Sequence, residues 1–108
     1  MRIVYMGTPE FSVPALKELA AHHELLLAIT RPDSVRKRGK SLVPSPVKIA
    51  AQALGVPVYE TKKLDAQAGA RIQSLSPDCI VVAAFGALIP DAILSIPRYG
   101  TINIHASL

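Results

Sequence analysis

The chain holds one cysteine, Cys79, no tryptophan, two methionines and six glycines among its 108 residues. A single cysteine excludes an internal disulfide, a cysteine-based zinc site and a secreted disulfide scaffold, so a reducing, cytoplasmic setting is expected. The longest apolar runs, residues 25–29 and 80–88, fall far short of the ~20 residues of a membrane span, and no membrane association is expected. The N-terminus runs directly into strand-like sequence, MRIVYM, with no targeting segment in view. Glycine is too sparse for a GxGxxG fingerprint: Gly7-Thr8-Pro9 carries only one, which disfavours a dinucleotide cofactor. Glu10, Asp33 and Asp91 are isolated carboxylates, so neither a carboxylate pair nor a metal site emerges, and no metal is expected.

What is present is apolar and unevenly charged. Half of the residues are hydrophobic, enough to fill the core of one small domain, which excludes intrinsic disorder and a low-complexity linker. The net charge of +4 is local: residues 31–48 hold Arg31, Arg36, Lys37, Arg38, Lys40 and Lys48 against Asp33 alone. Elsewhere six basic residues meet seven acidic ones, an ordinary balance. The same segment contains Pro32, Pro44, Pro46, Gly39 and three serines, so it reads as a long exposed loop. Such a loop either grips a phosphate backbone or is simply solvated, and the lack of interleaved aromatics leaves both open.

Periodicity supplies the fold. MRIVYM reads as a strand closed by Gly7-Thr8-Pro9; apolar residues at helical spacing follow over 11–21, with Ser12 as N-cap and Pro14 in the first turn. Residues 25–29 read as a second strand, and Ser45-Pro46 opens a helix over 47–54 that Gly55 ends. A short strand over 56–59, an amphipathic helix over 64–75, and the run DCIVVAAF over 78–85 follow. The last looks like a central strand covered on both faces. Residues 86–90 turn, 91–95 form a helical turn or two, and 100–105 make a fifth strand. Alternation of this kind predicts an α/β fold: a doubly wound, Rossmann-like, mostly parallel sheet of about five strands with flanking helices. Ligands of such sheets sit beyond the carboxyl ends of the strands, which points to Gly7, Thr8 and Pro9, to the end of the second strand, to residues 85–90 and to 103–107.

Each candidate has a plain alternative. The Gly7-Thr8-Pro9 turn either faces an anionic substrate group with its backbone amides or is only a strand-to-helix connection. Asn103 and His105 lie two apart on an extended strand, on one face, with Ser107 continuing the row. An amide and an imidazole so placed could stabilise an oxyanion or move a proton; a core histidine with a backbone partner is the alternative. His22 and His23 close the first helix, where a cation suits the dipole, and Cys79 reads as inert and buried.

Four segments line up with one family. RIVYMGTPEFSVPAL, RPDSVRKRGKSLVPSPVK, VVAAFGALIP and IPRYGTINIHASL together resemble the N-terminal part of the methionyl-tRNA formyltransferases, in the right order over nearly the whole chain. The resemblance implies transfer of a formyl group from 10-formyltetrahydrofolate, as co-substrate, to the α-amino group of methionine on initiator tRNA. It makes Asn103 the donor to the developing oxyanion. It makes His105, oriented by an aspartate supplied further along the chain, the aid to oxyanion stabilisation and proton transfer. It places the folate along Phe85, Gly86, Ala87, Leu88, Ile89 and Pro90, with Ser107 and Leu108 beginning a further contact, and the tRNA acceptor arm on Arg36, Lys37, Arg38 and Lys40. Residues 1–108 are then expected to be a formyltransferase domain cut near its C-terminal end, without the family's C-terminal β-domain and inactive alone, from a whole enzyme that is monomeric. The loop departs from the family at Ser34-Val35-Arg36-Lys37-Arg38, where another proline and glycine are common. A formyltransferase or hydrolase of the same fold acting on a small substrate, and a tRNA-binding module without chemistry, remain as alternatives.

Overall fold

A computed structural model describes residues 1–35 and 42–105. Strand β1 (Arg2–Gly7) leads through a 3-10 turn at Glu10–Ser12 into helix α1 (Val13–His22), and β2 (Glu24–Thr30) follows. Two short strands, β3 (Ser34–Val35) and β4 (Leu42–Val43), pair antiparallel before α2 (Pro46–Ala53). Then come β5 (Val58–Glu60), α3 (Ala66–Ser74), β6 (Cys79–Ala83), α4 (Asp91–Leu94) and β7 (Thr101–Asn103). Strands β5-β2-β1-β6-β7 form one sheet in that order, and every pairing in it is parallel. The expected doubly wound α/β fold is therefore the one observed.

Alternation along β1 divides the core. Ile3 and Tyr5 pack with Val13, Leu16, Val47 and Ala51 under α1 and α2, whereas Val4 and Met6 pack with Ala68, Ile72, Phe85 and Ile93 under α3 and α4. Both faces are covered, so β6 loses its polar positions and all five of its residues are buried. It is interior, between β1 and β7, while β1 is the centre of the sheet. A bulge accommodates the leucine run of β2: Ile3 pairs with Leu25 but Val4 with Leu27, and Leu26 and Leu27 both join the α3/α4 side. Each large apolar side chain so buried contributes about 1.5–3 kcal/mol.

Several boundaries differ from the sequence expectation. The third strand starts at Val58 because Pro57 cannot donate to a ladder; its carbonyl instead accepts from the Ala28 N–H, and the Val56 N–H closes α2 on Ala51 O. Helix α3 starts one residue after Asp65, whose carboxylate accepts from the Ala68 N–H at 3.0 Å. The fifth strand stops at Asn103 instead of His105, since its partner β6 ends at Ala83 and Ala84 turns into the left-handed region at φ +56°. Ser12 is the N-cap of α1, but its buried hydroxyl donates to Ala83 O and not to the helix. His22 faces Glu18 at 3.2 Å, and His23 follows as C-cap with its Nδ1 3.3 Å from the Met1 amine. Cys79 is buried, and burial pushes its thiol up from the ordinary range, away from the reactive thiolate. No described helix is long and apolar enough to cross a membrane.

Candidate active site

The chain order reverses direction across the sheet between β1 and β6: β2 and β5 build outward on one side, β6 and β7 on the other. The carboxyl ends of β1 and β6 therefore bound the crevice where a doubly wound sheet takes its ligands. A cleft of about 450 Å³ lies there, lined by Phe11, by Ala84, Phe85, Ala87, Leu88 and Ile89 but not Gly86, and by Leu94, Asn103 and His105. Its size suits a small organic molecule, and its lining is apolar apart from the amide and the imidazole.

Three side chains fix the β1 end of this crevice. The Tyr5 hydroxyl, buried and pushed up to about 12 by desolvation, donates to Ser12 O at 2.6 Å and anchors the 3-10 turn. Ser12 in turn holds Ala83 O. The Thr8 hydroxyl donates to Phe85 O at 2.7 Å and accepts from the Arg31 N–H at 3.3 Å, and the Thr8 amide donates to Ala84 O at 3.2 Å. Gly7 admits this closure, because a Cβ there would sit 2.9 Å from both Ala83 O and Ser12 Cβ. Phe85 then turns inward to the α3/α4 core while Leu88 stands 93% exposed at the cleft.

Asn103 and His105 are exposed and line the same cleft, although only Asn103 belongs to β7. The Ile104 N–H donates to Val82 O at 2.7 Å, which carries the chain past the strand end in register and sets the two side chains on the cleft. An amide donor and a titratable imidazole thus stand beside an apolar slot, an arrangement able to receive a developing negative oxygen and to pass a proton.

The 31–46 segment is more built than a plain loop, since β3 and β4 form a paired stem at its base. Lys48, one of the six cations of residues 31–48, is engaged: its Nζ lies 3.1 Å from Asp33 Oδ1 and 3.2 Å from Glu60 Oε1. Its helix is capped by Ser45, whose buried hydroxyl is 2.7 Å from that of Thr30. The hydrogen bond to Lys48 lowers the Asp33 carboxyl, and the same bond raises Lys48. The pair's stabilisation is therefore present above the ordinary carboxylate range and lost as pH falls through the lowered Asp33 value; at the other end it is lost as pH rises through the raised Lys48 value. The Ser34 to Val43 cross-strand NOE should be strong at pH 7 and weaken only as the pH falls below the ordinary carboxylate range, and Lys48→Met should weaken it already at pH 7. An unchanged signal in Lys48→Met at pH 7 would show that the stem does not need this pair.

The family profile described as formyl transferase matches residues 1–108, the whole chain. The chain belongs to the formyl transferase family. It is 50% identical over 109 residues to the methionyl-tRNA formyltransferase of Stenotrophomonas maltophilia (strain K279a) and 52% identical over 110 residues to that of Pelotomaculum thermopropionicum. All of this chain is covered in both matches but only 36% and 35% of those relatives, so it spans about a third of their length. In fold it is similar to the crystal structure of phosphoribosylglycinamide formyltransferase from Bacillus halodurans, with TM-score 0.66 and 17% identity over all of this chain and 57% of that one.

In this formyl transferase chain, Gly7, Thr8 and Pro9 lie at the end of β1 but do not line the cleft: the Thr8 amide and hydroxyl are both engaged by the 84–85 backbone, and Thr8 lines a separate hollow with Arg31 and Asp33. Phe85, Ala87, Leu88 and Ile89 line the cleft with Asn103 and His105, whereas Pro90 caps α4 and lines a separate hollow against α3. Arg36, Lys37, Arg38, Lys40, Ser107 and Leu108 lie outside the described residues. Sequence reasoning missed Phe11, Leu94 and Ala84 in the lining, and the link from Arg31 to the cleft segment. Only Phe11, an aromatic two residues after the Gly-Thr-Pro turn, carries a readable signal. Among the described residues no group of His, Cys, Asp and Glu is gathered for a metal.

Proposed function

We propose that the chain is the donor-binding N-terminal portion of an enzyme that transfers a formyl group from 10-formyltetrahydrofolate to the α-amino group of methionine esterified to initiator tRNA. The observation that carries this reading is the meeting of Asn103 and His105 with Phe85, Ala87, Leu88 and Ile89 in one cleft at the switch point of a formyl transferase sheet. The methionyl-tRNA formyltransferases to which it is about half identical along its whole length support the choice of acceptor.

In the reaction, the free amine attacks the formyl carbon and the carbonyl oxygen takes up negative charge. The Asn103 amide N–H donates to that oxygen as charge develops. His105, oriented by a carboxylate supplied further along the whole enzyme, takes up the proton lost by the attacking nitrogen, and the imidazolium so formed adds to the stabilisation of the oxyanion and returns the proton to the folate nitrogen. The carbon–nitrogen bond to the folate then breaks, its nitrogen is protonated, and tetrahydrofolate leaves. The apolar lining from Phe11, Ala87, Leu88 and Ile89 suits a flat heterocycle and thins water around the oxyanion, which strengthens the Asn103 bond.

Arg36, Lys37, Arg38 and Lys40 join β3 to β4 in sequence and are the proposed contact with the tRNA acceptor arm. Reversing these four charges to glutamate in the full-length enzyme should lower kcat/KM for methionyl-tRNA by at least about 100-fold while the KM for the formyl donor stays within about twofold. Formylation left intact would favour a small-amine acceptor.

A further inference from the structure

We infer that Arg31 is a positioning residue for the donor cleft. This rests on the reading of the cleft given above and concerns a side chain that does not line it. Three consecutive carbonyls after β6 are held from the neighbouring strand ends: Ala84 O by the Thr8 amide and Phe85 O by the Thr8 hydroxyl, directly after β1, and Gly86 O by the Arg31 guanidinium, directly after β2. Arg31 begins just past the end of β2, so its side chain spans the carboxyl end of β1 to reach the segment that follows β6.

The segment needs holding. Ala84 and Gly86 have φ of +56° and +96° on either side of Phe85, and an alanine pays steric cost in the left-handed region. Because the peptide unit is planar and trans, fixing the direction of Gly86 O also fixes the Ala87 N–H on the opposite side of the same plane, and Ala87 lines the cleft. A second observation ties the two residues: a Cβ on Gly86 would lie 3.0 Å from Arg31 Cδ, so the arginine stem packs directly over the glycine. Arg31 is half-buried, and charge-assisted bonds to a carbonyl are the stronger kind.

The test uses the full-length enzyme carrying Arg31→Met, which keeps the stem and removes the donors, and Arg31→Lys, which keeps one charged donor. In Arg31→Met the donor KM and the calorimetric Kd for tetrahydrofolate should rise about tenfold, with kcat at saturating donor within twofold and an unchanged Tm. Arg31→Lys should restore both to within about threefold. Hydrogen–deuterium exchange without ligand should be faster over residues 84–89 in Arg31→Met and not in β1. Tetrahydrofolate binding and 84–89 exchange equal to wild type in Arg31→Met would overturn the inference, as would a fall in kcat without a change in donor KM. A wild-type enzyme that binds no tetrahydrofolate would instead overturn the cleft reading, and Arg31 as a donor-positioning residue with it.

Discussion

Asn103→Ala in the full-length enzyme lowers kcat for formyl transfer by about 10²–10³, with substrate KM values little changed. The expectation follows from where the side chain stands. Asn103 is the last residue of β7, exposed, and lines the cleft, so its amide is free to meet an oxygen of a bound substrate. An interaction that strengthens only as the carbonyl oxygen becomes negative is lost from kcat and not from binding. Replacing an exposed residue at an edge strand changes stability by no more than about 0.5 kcal/mol, so thermal unfolding separates the catalytic loss from misfolding. His105→Ala should produce a loss of similar order. A non-catalytic tRNA-binding module would tolerate both changes.

Gly7→Ala has the largest expected effect on the folded state, a loss of about 1–3 kcal/mol in denaturant unfolding. A methyl at Gly7 would meet Ala83 O and Ser12 Cβ at 2.9 Å each, and neither can yield cheaply: one is backbone of a buried strand, the other a fully buried side chain bonded to that same carbonyl. Relief requires β1 to part from β6 at their carboxyl ends, which would also widen the cleft and raise the donor KM. Gly69→Ala is the contrasting case. Gly69 lies inside α3, where an added methyl would find Ile93 Cγ1 at 3.7 Å, an ordinary contact, so the better helix former should stabilise by about 0.5–1 kcal/mol. Equal effects from the two substitutions would contradict the close β1–β6 approach.

The parts of this fold that were legible in sequence are those set by local chemistry. The apolar runs of β1, β2 and β6 mark buried strands, and Ser45-Pro46 marks the start of α2 because both the cap and the absent N–H are local properties. Asn103 and His105 could be singled out because period-two geometry puts alternate residues together, and the two do line one cleft even though the strand stops between them. What was hidden depends on partners distant in sequence. The end of β7 is dictated by the end of β6, and the left-handed turn at Ala84 has no signal, since alanine gives none for a positive φ. Arg31 and Lys48 were indistinguishable from the other cations of residues 31–48. Their distinct duties depend on Gly86, Asp33 and Glu60, up to 55 residues away. The stem of β3 and β4 was missed for a related reason, as two-residue strands carry no periodicity to read.

The whole account turns on what receives the formyl group. Full-length enzyme supplied with 10-formyltetrahydrofolate labelled in the formyl carbon and with methionyl initiator tRNA should place the label on the methionine nitrogen, and Asn103→Ala should reduce that rate by about 10²–10³. Label that stays on folate, passes to water or to a small amine in preference to methionyl-tRNA, or transfers equally fast in Asn103→Ala, would contradict it.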